Sequence, residues 1–262
     1  LQVGFEVFDR ADPAGADAEV FALIARVLAP LSLRAATGDM GLLIAAVEGL
    51  STTPRRKAAL LRHIWRPRRF RALLDRFAGR VPVPPSRAAL LGRLSVDDAA
   101  ALIAQAGPMI GLRGEDEIAA RAAALVEDSA APPIAEGEAA ALDALLRIEG
   151  RLAGALAPLR AVASRLPALD AAVDRFAARV QALADRGVDP GAVDFAASHG
   201  RTTLEYYDGF VFSFHGPGDM PPVASGGRYD ALTAVLGQGR SIPAVGGVVR
   251  PALVAGLRGA GA

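Results

Sequence analysis

The chain has 262 residues, of which 52% are hydrophobic and 22% charged; none is cysteine, and the formal net charge is +1. This length and composition predict one large folded domain or two smaller ones, and the chain is too apolar to be disordered. The absence of cysteine excludes disulfides, thiolate nucleophiles and cysteine-ligated metal centres. His63, His199 and His215 lack metal-binding spacing, and no apolar run reaches the ~20 residues of a membrane span. We therefore expect neither a metal ion nor a cofactor.

The first 52 residues alternate between strand and helix patterns. Gln2–Phe8 and Leu31–Ala36 have the composition of strands, and apolar residues at helical spacing predict helices over 18–28 and 41–50. Because a strand pattern begins almost at the first residue, which is not methionine, we expect that an N-terminal part of this domain is missing.

The middle of the chain, residues 53–187, has one helical pattern after another. Thr53 followed by Pro54 is typical of a helix N-terminus. Further prolines divide the region, and Gly187 marks the end of its last long apolar repeat. We predict an all-helical insertion over 53–187.

The last part, residues 188–262, returns to strand patterns. The predicted elements are a short strand over Val193–Ala197, a long strand over Leu204–Phe214, a turn at Gly226-Gly227, a short helix over Tyr229–Leu236 and a buried strand over Ala244–Val249. The simplest architecture is one α/β domain, formed by residues 1–52 and 188–262, that the helical insertion divides in sequence.

The segment Arg55–Arg76, which we call the basic segment, has nine basic residues and a single acid, Asp75. Three interpretations are open: a solvated helix face, a docking surface for an acidic protein, or a nucleic-acid contact. If the segment docks a protein, Arg66, Arg68 and Arg69 are the candidate partner contacts.

The stretch Gly200–Phe214 concentrates aromatic and polar residues. Side chains alternate across a strand, so Tyr206 and Tyr207 are predicted to face opposite sides. Either one tyrosine fills the core while the other lies on the surface, or at least one hydroxyl lines a polar pocket beside Glu205 and Asp208.

Three stretches of the sequence, taken in order, resemble a known family: QVGFEVF, then GRTTLEYYDGFVF, then GGRYDALTAVLG followed by IPAVGG. They are similar to the catalytic core of histidyl-tRNA synthetases and their non-catalytic paralogue, the regulatory subunit of ATP phosphoribosyltransferase. The resemblance covers about the first 50 and the last 75 residues. It implies an α+β fold with a class II aminoacyl-tRNA synthetase-like antiparallel sheet and flanking helices, split by the helical insertion.

The resemblance also implies a histidine site. In the synthetases a Gln and a Glu four residues apart hold the amino acid, and these positions fall on Gln2 and Glu6. The tyrosine pair of the histidine-specific motif falls on Tyr206 and Tyr207, and Arg201 lies near the position of that motif's arginine. A carboxylate and tyrosine hydroxyls are suitable partners for imidazole and α-ammonium groups.

Several positions depart from the synthetase pattern. Thr202 occupies the position of the motif's arginine, and the acid Asp208 follows the tyrosine pair. The ATP-binding arginine of motif 3 falls on Leu253, with Arg250 three positions too early, so the charge of ATP would be poorly compensated. The chain also ends 12 residues after Arg250, where a synthetase continues into an anticodon-binding domain. These departures favour the regulatory paralogue.

The function that the resemblance implies is a cytoplasmic, non-catalytic regulatory subunit in histidine biosynthesis. Such a subunit would form a homodimer, assemble with the short-form ATP phosphoribosyltransferase catalytic subunit, permit its activity and respond to L-histidine as effector. No membrane partner is expected. The alternatives are a histidyl-tRNA synthetase-like enzyme and an RNA-binding module that uses the basic segment.

Overall fold

The computed structural model describes residues 1–201, 206–240 and 242–259. Within these ranges seven strands form one sheet: β1 (Val3–Phe8), β2 (Arg34–Asp39), β3 (Glu149–Arg151), β4 (Asp194–Ala196), β5 (Phe210–His215), β6 (Ala224–Arg228) and β7 (Ala244–Val249). Their order across the sheet is β1-β7-β6-β5-β2-β4-β3. Neighbouring strands are antiparallel except β2 and β4, which are parallel.

Twelve α-helices lie within the described ranges. They are α1 (Pro13–Leu28), α2 (Met40–Glu48), α3 (Pro54–Arg62), α4 (Pro67–Phe77), α5 (Pro85–Leu94), α6 (Ala99–Gln105), α7 (Glu115–Ala130), α8 (Glu136–Leu146), α9 (Leu156–Ala163), α10 (Asp170–Asp185), α11 (Asp230–Leu236) and α12 (Pro251–Gly259). Over those ranges, no helix combines the length and the apolar character that a membrane crossing requires.

Helix α1 covers one face of the sheet. Its Phe21 ring lies against alternate aromatic rings of β5, with centroids 5.2–6.2 Å apart: Phe210, Phe212 and Phe214. Because side chains alternate along a strand, Ser213 projects from the opposite face. The α1 side of β5 is therefore an aromatic core, whereas its other side carries the smaller buried residues Val211 and Ser213.

A buried ion network ties α1 to the elements around it. Asp17 of α1 accepts hydrogen bonds from Arg228 of β6 at 2.7 Å and from Arg179 of α10 at 3.3 Å. Arg179 also donates to Asp39, which precedes α2. All four side chains are buried, so each charge is compensated by an opposite charge rather than by water.

The long strand predicted over Leu204–Phe214 is much shorter in the structure, because β5 begins only at Phe210. Tyr206 lies in a turn, so the prediction that the two tyrosines face opposite sides of a strand is wrong. Residues 202–205, including Thr202 and Glu205, lie outside the described residues.

The turn predicted at Gly226-Gly227 is also wrong, since both glycines lie inside β6. Close packing explains their presence in a strand. A Cβ atom at Gly226 would overlap the Phe212 ring and the backbone of β7, and one at Gly227 would lie 2.5 Å from the carbonyl oxygen of Phe210. The pair is therefore needed for close packing within the sheet.

The segment predicted to be all-helical contains one strand. β3 pairs antiparallel with β4 at the edge of the sheet, where Arg151 forms a 2.6 Å salt bridge to Asp194. Helix α10, from the same segment, lies against α1. The second half of the segment 53–187 therefore contributes to the packing around the sheet. The boundaries at 53 and 187 stay predictions. Three residues, Glu-Gly-Arg, are too few to show strand alternation in sequence.

Candidate functional site

The candidate site lies on the sheet face opposite α1, where β1, β7 and β6 lie side by side. Two glycines of β7 and β6, which we call the glycine floor, form the surface of the sheet there. Glu6, Gly246 and Gly227 are direct cross-strand neighbours there. A Cβ atom at Gly246 would overlap the Glu6 carboxylate, and one at Gly227 would lie 2.8 Å from the Tyr207 ring. The two glycines therefore give the Glu6 and Tyr207 side chains room to lie against the sheet.

Glu6 and three tyrosines form what we call the tyrosine–carboxylate cluster. The hydroxyl of Tyr229 donates to the Glu6 carboxylate, and the hydroxyl of Tyr206 donates to that of Tyr207 at 3.1 Å. The Tyr206 ring centroid lies 4.4 Å from that of Tyr207 and 6.0 Å from that of Tyr229. Four side chains from three separate parts of the chain thus meet at one place on the sheet.

The cluster is partly buried, which raises the pKa of two of its hydroxyls. Tyr207 is 5% exposed and Tyr206 is 41% exposed. Burial, together with the hydrogen bond from Tyr206, raises the pKa of Tyr207, and burial with the hydrogen bond to Glu6 raises the pKa of Tyr229. At neutral pH both hydroxyls therefore carry their proton, which Tyr229 donates to Glu6 and which Tyr207 can donate to a further acceptor.

This arrangement is suited to a small nitrogenous ligand. The carboxylate of Glu6 can accept from an ammonium or an imidazole N–H, while tyrosine hydroxyls can both donate and accept. Aromatic ring faces also attract cations. The cluster therefore combines the groups that recognise an amine or an imidazole.

The structure brings together three of the five predicted site residues, Glu6, Tyr206 and Tyr207. Tyr229 joins them, although the sequence analysis gave it no role; its place in GGRYD, directly after a strand, was the available signal. Gln2 lies just before β1 and is exposed, and no contact among the described residues joins it to the cluster.

The side chain of Arg201 contacts other residues than those of the cluster. Its side chain is 5% exposed, donates from Nε to the carbonyl oxygen of Ile64 at 2.8 Å, and stacks on the Phe70 ring at 4.8 Å. Burial lowers the pKa of its guanidinium to about 10. The placement of Arg201 among histidine ligands is therefore not supported by its contacts, which join the 197–201 turn to α4 and to the segment between α3 and α4.

Asp208 fixes the tyrosine turn to α11. Its carboxylate accepts from the backbone N–H of Asp230 at 3.0 Å and from that of Ala231, and its own N–H donates to the Arg228 carbonyl oxygen at 3.0 Å. The first N–H groups of a helix lack partners inside it, so the carboxylate stabilises the start of α11. It also holds Tyr206 and Tyr207 beside Tyr229.

The motif 3 region carries no cation at the predicted ATP-binding position. Leu253 of α12 is half-buried and packs against the hydrophobic core. Arg250 donates to the carbonyl oxygen of Pro222 at 2.7 Å and to Ser225 Oγ at 3.3 Å. Its guanidinium is thus held by β6 and the loop before it.

Two histidines share one serine on the same face of the sheet. Ser213 Oγ lies 3.0 Å from His199 Nε2 and 2.7 Å from His215 Nε2. Burial, with the nearby charges of His215 and Arg34, lowers the pKa of His199 to about 4. The imidazole of His199 is consequently neutral at physiological pH and links the 197–201 turn to β5.

The basic segment is less positive at the surface than its composition indicates. Arg56 pairs with Asp128 at 2.6 Å, and Arg71 pairs with Asp143, so two of its cations are compensated from outside the segment. Arg66 directly precedes α4, and Arg68 and Arg69 lie in its first turn; all three are exposed. These three remain the candidate partner contacts.

Comparison with known proteins relates the chain to two named groups. A family model described as histidyl-tRNA synthetase matches residues 113–253, more than half of the chain. An ATP phosphoribosyltransferase regulatory subunit from Sinorhizobium medicae is 32% identical, and the match spans 94% of this chain and 69% of that protein. Proteins of the same name from Mesorhizobium japonicum, at 32%, and Rhizobium rhizogenes, at 29%, match with the same coverage.

Solved structures confirm the predicted fold. An ATP phosphoribosyltransferase regulatory subunit/histidyl-tRNA synthetase from Bacillus halodurans aligns with a TM-score of 0.59 at 19% identity, over 98% of this chain and 52% of that one. Histidyl-tRNA synthetase from Nostoc sp. PCC 7120 aligns with a TM-score of 0.57 at 14% identity, over 99% and 50%. The chain thus spans about half the length of these structures, and the α+β, class II synthetase-like prediction is confirmed.

Proposed function

Because the chain belongs to the family of ATP phosphoribosyltransferase regulatory subunits, relatives of histidyl-tRNA synthetase, we propose that it regulates that transferase in histidine biosynthesis. In this proposal it assembles as a homodimer with the short-form catalytic subunit and permits its activity. The observation that carries the proposal is the 32% identity to a named regulatory subunit over 94% of the chain.

The tyrosine–carboxylate cluster supports histidine as the effector. Free histidine has an α-ammonium group and an imidazole, and both can donate to a carboxylate such as Glu6. The hydroxyl of Tyr229 contacts that carboxylate, the hydroxyl of Tyr207 contacts that of Tyr206, and the glycines let Glu6 and Tyr207 lie against the sheet. A site of several specific hydrogen bonds rejects molecules that cannot complete them.

We also propose that the subunit has no catalysis of its own. Adenylate formation requires positive charge against the phosphates of ATP. Leu253 packs against the core, and Arg250 is engaged by Pro222 and Ser225, so neither supports such a role.

Reconstitution tests the proposal. The full-length protein is mixed with a short-form catalytic subunit, and phosphoribosyl transfer is measured with and without histidine. We expect transfer only when both proteins are present, and inhibition by histidine. Transfer that is independent of this chain would contradict the regulatory role, and histidine-dependent ATP–pyrophosphate exchange by this chain alone would instead indicate a synthetase.

A further inference from the structure

Four arginines line one small cavity between helices α3, α4, α5 and α7. The cavity has a volume of about 160 Å³. Its charged lining residues are Arg55, Arg56, Arg76, Arg87 and Asp128. Within the described residues, the lining therefore carries four positive charges and one negative charge.

The single carboxylate is already fully engaged. Asp128 Oδ1 accepts from Arg56 Nε at 2.6 Å, and Asp128 Oδ2 accepts from Arg87 Nη2 at 2.6 Å. Arg56 also donates to the carbonyl oxygen of Pro132 at 2.7 Å. Two of the four cations are thus paired, and both oxygens of the carboxylate are used.

The other two arginines have no salt-bridge partner among the described residues. Arg76 stacks on Phe77 with its guanidinium carbon 4.8 Å from the ring centroid, and Arg56 approaches the same ring at 5.2 Å. The Nε atom of Arg76 is buried and has no hydrogen-bond partner within the described ranges. Burial, followed by the repulsion of Arg87, lowers the pKa of Arg76. A buried donor is destabilising unless an acceptor reaches it.

The charge and the size of the cavity indicate which kind of ligand could supply the missing acceptor. Guanidinium groups bind tetrahedral oxyanions through paired N–H donors, and several arginines around one cavity are typical of phosphate recognition. A volume of about 160 Å³ holds a phosphate-sized ion with a few waters but excludes a nucleic-acid strand. A small anion held by Arg55, Arg76 and Arg87 would also join α3 and α4 to α5, on which Arg87 lies.

We propose that Arg55, Arg76 and Arg87 form a binding site for a small phosphate-bearing anion, separate from the tyrosine–carboxylate cluster and independent of the proposed function. Helices α5, α6 and α7 have no fully buried residue among those described, so little apolar packing holds them. Anion binding therefore fixes α5 to the α3–α4 pair and, through the Arg87–Asp128 salt bridge, α7 as well. The anion is a ligand that stiffens this part of the molecule.

Calorimetric titration with inorganic phosphate, at constant ionic strength and pH, tests the site on the whole chain. We expect saturable binding by the wild type and at least tenfold weaker binding by Arg76→Gln. The matched control is Arg69→Gln, which removes the same charge from an exposed position of the same helix. It should leave the affinity unchanged. Amide exchange over 115–130 should slow when phosphate binds to the wild type.

A second variant guards against misfolding of Arg76→Gln. Arg55 is exposed at the rim of the cavity, so Arg55→Gln should fold normally and weaken phosphate binding several-fold. Absence of phosphate binding by the wild type would overturn the proposal, as would an equal loss of affinity in Arg69→Gln. Tight binding of an RNA oligonucleotide that Arg69→Gln and Arg76→Gln weaken equally would assign the charge to nucleic acid and also overturn it.

Discussion

At the scale of single residues, Glu6 is the centre of the candidate site. It lies on the outer strand of the described sheet, faces away from α1, and accepts from Tyr229. Gly246 beside it provides the space for its carboxylate. In the proposed histidine site, this carboxylate would be the charged acceptor for the ligand.

Replacing Glu6 by Gln removes the charge but keeps the shape of the side chain. We expect histidine binding, measured by calorimetry, to weaken about 10- to 100-fold, because hydrogen bonds to charged groups contribute about 1.5–3 kcal/mol. Glu19→Gln, an exposed change on α1, is the matched control and should bind histidine normally. Equal affinity of the Glu6 variant and the wild type would place the effector site elsewhere.

His199 gives the fold a dependence on pH. Its pKa is lowered to about 4 by burial, from an ordinary value of 6.5, so the unfolded chain binds a proton more readily. The contribution of neutral His199 to stability is therefore complete above pH 6.5 and is lost as the pH decreases toward 4, by about 3 kcal/mol in total. Urea unfolding of His199→Asn should show a flatter profile across this interval. An equally steep loss in the variant would contradict the assignment.

At the scale of elements, one contact attaches the turn that carries the tyrosines and another attaches the turn before it. Asp208 attaches it to the start of α11, and Arg201 attaches the preceding turn to Ile64 at the end of the α3 region. Asp208 therefore positions the two tyrosines relative to α11, and Arg201 positions the 197–201 turn relative to the segment between α3 and α4.

Removing the Asp208 carboxylate should loosen the site as well as the helix. We expect Asp208→Ala to lower the free energy of unfolding by about 1–2 kcal/mol, as loss of a helix cap does. Histidine binding should weaken roughly fivefold, which corresponds to about 1 kcal/mol. Asp98→Ala removes the cap of α6 and should lower stability without affecting histidine binding. Unchanged histidine affinity in Asp208→Ala would show that the turn keeps its position without this contact.

The same turn shows where sequence reasoning succeeds and where it does not. Strand and helix patterns predicted β1, α1, α2 and β7 to within a few residues, because apolar periodicity reflects burial directly. The tyrosines have the composition of a strand, yet the contacts of Asp208 hold them in a turn. Such contacts join distant residues and leave no local pattern, and the same is true of Arg201 and of the Tyr229–Glu6 pair.

At the scale of the whole molecule, the exposed part of the basic segment lies on α4. Arg68 and Arg69 have no salt bridge among the described residues, whereas Arg56 and Arg71 are compensated internally. Charges at the rim of an interface act mainly on association rate and its salt dependence. The surface is thus suited to guiding an acidic partner.

Reversing both charges tests that role. We expect Arg68→Glu with Arg69→Glu to slow association with the catalytic subunit about tenfold at low salt and to flatten its salt dependence. Stopped-flow mixing at two salt concentrations measures both. The same reversal at Arg160 and Arg165, exposed on α9 and its end, is the control and should have little effect. An unchanged rate would indicate a solvated face, and salt-sensitive tRNA affinity would indicate a nucleic-acid surface.

The pairing of β1 with β7 limits the order in which parts of the fold can form while the chain is being synthesised. Val3 lies opposite Val249, so the two strands that frame the glycine floor are separated by nearly the whole length of the chain. Contacts between distant segments form slowly, while helices form locally and early. On the ribosome the helical segment can fold while β1 still lacks its neighbour. The tyrosine–carboxylate cluster therefore takes its final form only after β7 has emerged and paired with β1.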